Sequence, residues 1–146
     1  MTQVDFYFNV PDPVGYGCRL VRKVWQAGFK LIIFSEDTQL LKRFDQALWQ
    51  FAPLSFIPHV SIRHPLAAQT PVLLTATHAE IPATHRQVLL NLSARMPPAF
   101  GDYERVLELV GTDERSRQAA RTRFRQYQSQ GYKPLTHNVE ERDGTR

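Results

Sequence analysis

The sequence predicts an α/β fold: a single compact domain with a mainly parallel sheet flanked by helices. Three observations carry this prediction. From Val4 to Gln50, short apolar runs alternate with helix-periodic segments in the order strand, helix, strand, helix. The apolar run Lys30–Ser35 (KLIIFS) lacks polar alternation, as expected of a strand covered on both faces. At 146 residues, with 42% hydrophobic and 22% charged residues, the chain has the size and composition of one globular domain, and no repeat or linker divides it.

Val4–Phe8 (VDFYF) is the first strand, followed by a turn containing Pro11, Pro13, Gly15 and Gly17. Cys18, Val21, Val24 and Trp25 then recur at helical spacing up to Ala27, and Gly28 stops that helix. After the strand at Lys30–Ser35, Asp37 is placed to cap a helix from Thr38 to about Gln50, because its carboxylate can accept the free first-turn amides. Leu40, Leu41, Phe44 and Leu48 form the apolar stripe of this helix. Val72–Thr75, Val88–Leu92 and Arg105–Val110 are further strands, and Met96–Asp102 reads as a loop. Asp113 or Thr112 caps a last helix running to about Gln130, ended by Gly131. The domain is placed at residues 1–137, with a polar tail at 138–146 expected to lack fixed structure.

Composition narrows the function. One cysteine, Cys18, permits no internal disulfide and no zinc cluster, which suits a reducing cytoplasm. The N-terminus carries neither a basic start nor a long apolar region, and no run is long enough to span a bilayer. His59, His64, His78, His85 and His137 fit no metal-binding spacing, and no cofactor is implied. Gly15 and Gly17 give G-x-G, but Leu20 stands where a dinucleotide fingerprint needs its third glycine. Ser35-Glu36-Asp37 follows a strand, where α/β enzymes place catalytic groups, yet the two acids equally suit a helix N-terminus. The residues assemble no nucleophile–base pair, so nothing in them asks for an enzyme, and an enzymatic role stays open at this point.

Two other features ask for partners. The formal net charge is only +4, but between Asp113 and Lys133 six cations (Arg115, Arg117, Arg121, Arg123, Arg125 and Lys133) face two acids. At about 100° per residue, Arg117, Arg121, Phe124, Arg125 and Gln128 share one arc, Ala119, Ala120 and Tyr127 turn toward the sheet, and Arg123 is expected in solvent. An aromatic ring among arginines suits an apolar side chain beside a carboxylate, which guanidinium binds in bidentate fashion. Core packing of Phe124 and a merely solvated arginine face are the plainer alternatives. The second feature is Asp45–His59 (DQALWQFAPLSFIPH), which crowds Trp49, Phe51, Phe56 and Ile57 around Pro53 and Pro58. Prolines so close break helix and central strand alike, so these side chains either fold back onto the core or wait for another protein.

Three blocks together resemble a known family: FYFNVPDPVGYGCRLVRKVWQAGFKLIIFSED, LWQFAPLSFIPH and RVLELVGTDERSRQAARTRFRQYQSQGY. They are similar to the chi subunit family of bacterial DNA polymerase III. The resemblance implies a Rossmann-like, mononucleotide-binding topology without a nucleotide site, in an accessory clamp-loader subunit that performs no catalysis. It implies two partners, the psi subunit and the acidic C-terminal tail of single-stranded DNA-binding protein, which ends in phenylalanine. Carried over by position, Arg117 and Arg121 take the tail's acidic groups and carboxylate, with Arg125 beside them, while Phe124 and Val110 supply apolar contact. Trp49, Phe56, Pro58 and His59 match the psi-contacting motif, a surface that in some members also accepts a helicase. DNA would then be reached mainly indirectly. The competing reading is a nucleotide- or nucleic-acid-binding enzyme using Pro11–Gly17 and Ser35–Asp37, or an arginine helix that touches DNA itself.

Overall fold

The computed structural model describes residues 1–51 and 56–140. Its strands are β1 (Gln3–Val10), β2 (Leu31–Phe34), β3 (His59–Ser61), β4 (Val72–Thr75), β5 (Val88–Asn91), β6 (Arg105–Gly111) and β7 (Leu135–Asn138). Three α-helices join them: α1 (Pro13–Gln26), α2 (Thr38–Gln50) and α3 (Glu114–Ser129). All seven strands form one sheet in the order β3-β4-β2-β5-β6-β1-β7, and every neighbouring pair is parallel.

The expected α/β class holds, and strand alternation explains its two layers of helix. Leu31 and Ile33 of β2 join Phe44, Leu48, Cys18 and Val21 in a core beneath α1 and α2. Ile32 and Phe34, pointing the other way, join Val106, Ala120 and Tyr127 beneath α3. Leu31–Phe34 is apolar throughout because both of its faces are covered.

Local chemistry fixes the helix starts. Asp37 caps α2 as the sequence predicts, accepting the amides of Gln39 and Leu40 at 3.0 and 3.2 Å. Asp113 caps α3, accepting the Ser116 amide at 3.0 Å. The first helix differs from expectation: it begins at Pro13, five residues before Cys18. Asp12 is its cap, accepting the Gly15 amide at 3.2 Å, and proline fills the first turn, where an amide donor is dispensable. Gly15 and Gly17 therefore lie inside a helix rather than in a turn. A Cβ at Gly17 would stand 2.7 Å from Phe44 Cε2, so this glycine lets α1 approach α2 closely.

Two edge strands were not expected. β3 begins at His59, the end of the proline-broken segment for which the sequence predicts no strand, and β7 extends the domain past the predicted boundary at residue 137. Asn138 completes β7 and Val139 is buried in the core beneath α1, so the fold takes in residues assigned to the tail. Pro53 and the tail from residue 141 lie outside the described residues. No described helix is long and apolar enough to cross a membrane.

Candidate functional site

β1 and β6 are parallel neighbours, but the chain leaves them toward opposite faces, β1 into α1 and β6 into α3. Diverging connections open a crevice at the C-terminal ends of such strands, where open α/β sheets place their ligands. On the α3 side of this position, between α3 and the sheet face of β1, β6 and β7, lies a groove of about 360 Å³ lined by Phe6, Phe8, Asn9, Val110, Arg117, Ala120, Arg121, Phe124 and Thr136. The structure thus brings together four of the five residues assigned to tail binding. Arg125 is exposed on α3 but is not among the groove-lining residues.

The groove has an apolar floor and a cationic rim. Val110 is buried, and Phe124 is half-buried with its ring 5.2 Å from that of Phe6. Core packing and groove lining are therefore both true of Phe124. The two rim arginines have unequal partners. Arg117 Nη2 donates to the neutral amide oxygen of Asn9 at 3.4 Å, whereas Arg121 Nη1 pairs with the Glu114 carboxylate at 3.2 Å. Asn9 adopts a left-handed φ of 61°, which asparagine tolerates better than most residues, and its amide donates to Asn138 at 3.1 Å. β1, β7 and α3 are tied together at this corner.

Arg123 corrects the sequence reading. It is 4% exposed, because it lies three residues after Ala120 and four before Tyr127, on the face turned to the sheet. Its Nε donates to Glu108 Oε1 at 3.0 Å and its Nη1 to the Ala94 carbonyl at 2.9 Å. Tyr127 donates to Glu108 Oε2 at 2.7 Å, and the Asn91 amide reaches both carboxylate oxygens. Burial lifts the Glu108 carboxyl above its ordinary value, opposed by the Arg123 charge and these hydrogen bonds. Burial and Glu108 push the Tyr127 hydroxyl up as well. This network anchors the helix that carries the rim. Its signal in the sequence was a lone acid inside the apolar strand RVLELV, since a buried charge needs a partner.

A second buried acid was also missed. Asp5 accepts from His137 at 2.8 Å and from Arg105 at 2.8 Å, tying β1 to both of its neighbours. Burial pushes its carboxyl up, but bonds from His137, Arg105 and Gln3 outweigh that and hold it below the usual carboxylate range. A depression of about 500 Å³ on the α1 face, bordered by Tyr7, Lys23, Arg105 and His137, contains none of the predicted site residues.

The aromatic surface lies at the opposite side of the sheet, beside the edge strand β3. Trp49, on the last turn of α2, is 56% exposed and Phe56 58% exposed, with ring centroids 5.3 Å apart. Phe51 packs partly against the core and Ile57 is fully buried, so the segment divides its apolar residues between domain and solvent. Pro58 is half-buried. His59 is buried behind the rings, 4.8 Å from Trp49, with Nδ1 2.6 Å from the Ile57 carbonyl and Nε2 3.2 Å from Asp45 Oδ1. Buried there, its ring backs that of Trp49.

Residues 1–135 match the family model of the DNA polymerase III chi subunit, HolC. The chain belongs to the chi subunit family. It is 37% identical to DNA polymerase III subunit chi of Pseudomonas aeruginosa, covering 95% of this chain and 98% of that protein. The chi subunit of Haemophilus influenzae is 27% identical, over 84% of each chain, and that of Escherichia coli 25%, over 79% and 78%. Among solved structures, the C-terminal domain of the DEAD-box protein Dbp5 superposes with a TM-score of 0.66 at 11% identity, over 98% of this chain and 93% of that one. That likeness concerns the fold alone. In this chi-family chain the Asp12 carboxylate occupies the N-terminus of α1, where a phosphate would need the free amides and no negative charge.

Proposed function

We propose that this chain is a non-catalytic adaptor in DNA replication, acting in the cytoplasm as the chi subunit of the DNA polymerase III clamp-loader complex. In this reading the groove beside α3 holds the acidic C-terminal tail of single-stranded DNA-binding protein. The Trp49–Phe56 surface docks the psi subunit or, in its place, a helicase, and DNA is reached through these partners. The observation that carries the reading is the convergence of Val110, Arg117, Arg121 and Phe124 on one groove. An apolar floor takes the terminal phenylalanine ring, and the arginine rim takes its carboxylate and the preceding acids. Two exposed aromatic rings in contact, on a firm histidine support, have the form of an interface anchor.

A fluorescence titration with an acidic peptide ending in Ile-Pro-Phe tests the groove. Amidating the peptide carboxylate removes a charged hydrogen bond worth about 1.5–3 kcal/mol, which weakens binding by roughly 10- to 150-fold. Equal affinity for the acid and the amide refutes the assignment. Calorimetry with nucleotides and with naked single-stranded DNA addresses the rival reading, and tight nucleotide binding would overturn the adaptor.

A further inference from the structure

The rim arginines of the groove are not equivalent, and the difference lies in Glu114. Its Oε2 sits 3.2 Å from Arg121 Nη1 and accepts from Gln118 Nε2 at 3.2 Å. Seven residues separate Glu114 from Arg121, two turns of α3, so both lie on one face of the helix. Both side chains are more than half exposed, which makes the pair weak and exchangeable. Arg117, by contrast, meets a neutral amide oxygen at 3.4 Å and no carboxylate among the described residues. One arginine thus keeps its charge for a ligand, while the other is already neutralised by the protein's own carboxylate.

We infer that Glu114 is an affinity-setting residue of the groove, an internal carboxylate that occupies Arg121 until an acidic peptide displaces it. The inference rests on the reading of this groove as an acidic-peptide site. Arg117 then makes the first contact, and Arg121 closes on the ligand only after releasing Glu114. Each binding event exchanges one carboxylate for another, so Arg121 adds less net affinity than its position suggests.

The test is titration of the intact protein with the same acidic Ile-Pro-Phe peptide at low salt, comparing wild type with Glu114→Gln and Glu114→Asp. Glutamine removes the competing charge. Aspartate keeps the charge at the helix N-terminus but draws it back by one bond length, about 1.5 Å, so that Arg121 can follow it only by leaving its place on the groove rim. Both variants are expected to bind about two- to fivefold more tightly than wild type, a gain that shrinks as salt screens the pair. Glu104→Gln, at the far end of β6, removes the same charge and leaves affinity unchanged. The inference is overturned if Glu114→Asp behaves as wild type while Glu114→Gln gains, since that is simple repulsion. It is likewise overturned if neither variant gains, if either weakens binding, or if Glu104→Gln gains equally. Failure of wild type and both variants to bind at all is a different result, and refutes the peptide-site reading itself.

Discussion

Replacing Arg123 by methionine should strongly destabilise the helix that carries the groove. The substitution keeps an unbranched apolar stem but deletes the bonds to Glu108 and to the Ala94 carbonyl. Glu108, fully buried, keeps Tyr127 and Asn91 yet loses its only charged partner among the described residues. Breaking a buried ion pair from one side costs about 3–5 kcal/mol. The lower end applies here because two hydrogen-bond donors remain and the carboxyl can take up a proton. About 3 kcal/mol corresponds to a loss of ~6–12 °C in Tm for a domain of this size. The pH dependence has a definite sign. The Glu108 carboxyl already lies above its ordinary value in the folded protein, through burial, and losing the Arg123 charge raises it further. A folded state that keeps a proton the unfolded state releases loses stability as pH rises from about 4.5 through the folded-state value. Urea denaturation should therefore find the Arg123→Met deficit larger at pH 8 than at pH 5. A Glu108→Gln/Arg123→Met double variant should recover much of the loss at pH 8. A single-variant deficit below about 1 kcal/mol, equal at both pH values, would refute the reasoning that the pair is buried and coupled.

The remaining predictions separate docking from folding. Trp49→Ala and Phe56→Ala should each weaken psi association by at least about 2 kcal/mol, roughly 30-fold, while leaving peptide binding in the groove intact. Unfolding by circular dichroism would instead make either ring part of the core. Gly17→Ala should destabilise the protein by about 1–3 kcal/mol in urea, because the added methyl overpacks against Phe44. Asp5 stabilises the fold fully above pH ~4, and that contribution is lost as pH falls through its lowered folded-state value. Asp5→Asn should accordingly flatten the acid limb of a stability–pH profile, and an unchanged limb would exclude Asp5 as its source.

How much of this was legible in the sequence depended on whether a residue's role was set locally. Asp37 and Asp113 sit directly before helix-periodic runs, and caps act within one turn, so both were readable. The uniformly apolar β2 was readable because burial on both faces leaves no alternation. β7 was not, since an edge strand held by β1 and by the His137–Asp5 bond needs little apolar content of its own. Arg123 was misread because arginine in a basic helix looks solvated, and only its acid partner fifteen residues earlier, in a neighbouring strand, draws it inward. Groove and aromatic surface were legible as compositions, whereas Asn9, Phe6, Phe8 and Thr136 joined the groove only through strand pairing.

The groove lies on the α3 side of a place where the topology sends neighbouring connections to opposite faces. Any parallel sheet whose neighbouring strands send their connections to opposite faces leaves a crevice at their C-terminal ends, whatever the ligand. Nucleotide-binding domains fill such a crevice with phosphate, using glycines to bring free backbone amides close. Here the equivalent glycines are absorbed into α1, one packed against Phe44, and a carboxylate cap sits on the helix N-terminus. Positive charge comes instead from α3, through long guanidinium side chains above an aromatic floor. Backbone amides suit a compact phosphate at fixed distance, whereas arginines on a helix reach a carboxylate and acids strung along a flexible peptide. In this domain the positive charge beside the sheet thus stands on the last helix, and the first helix begins on a carboxylate. Arg123 and Glu108, which are not among the groove-lining residues, hold that last helix in register with the floor.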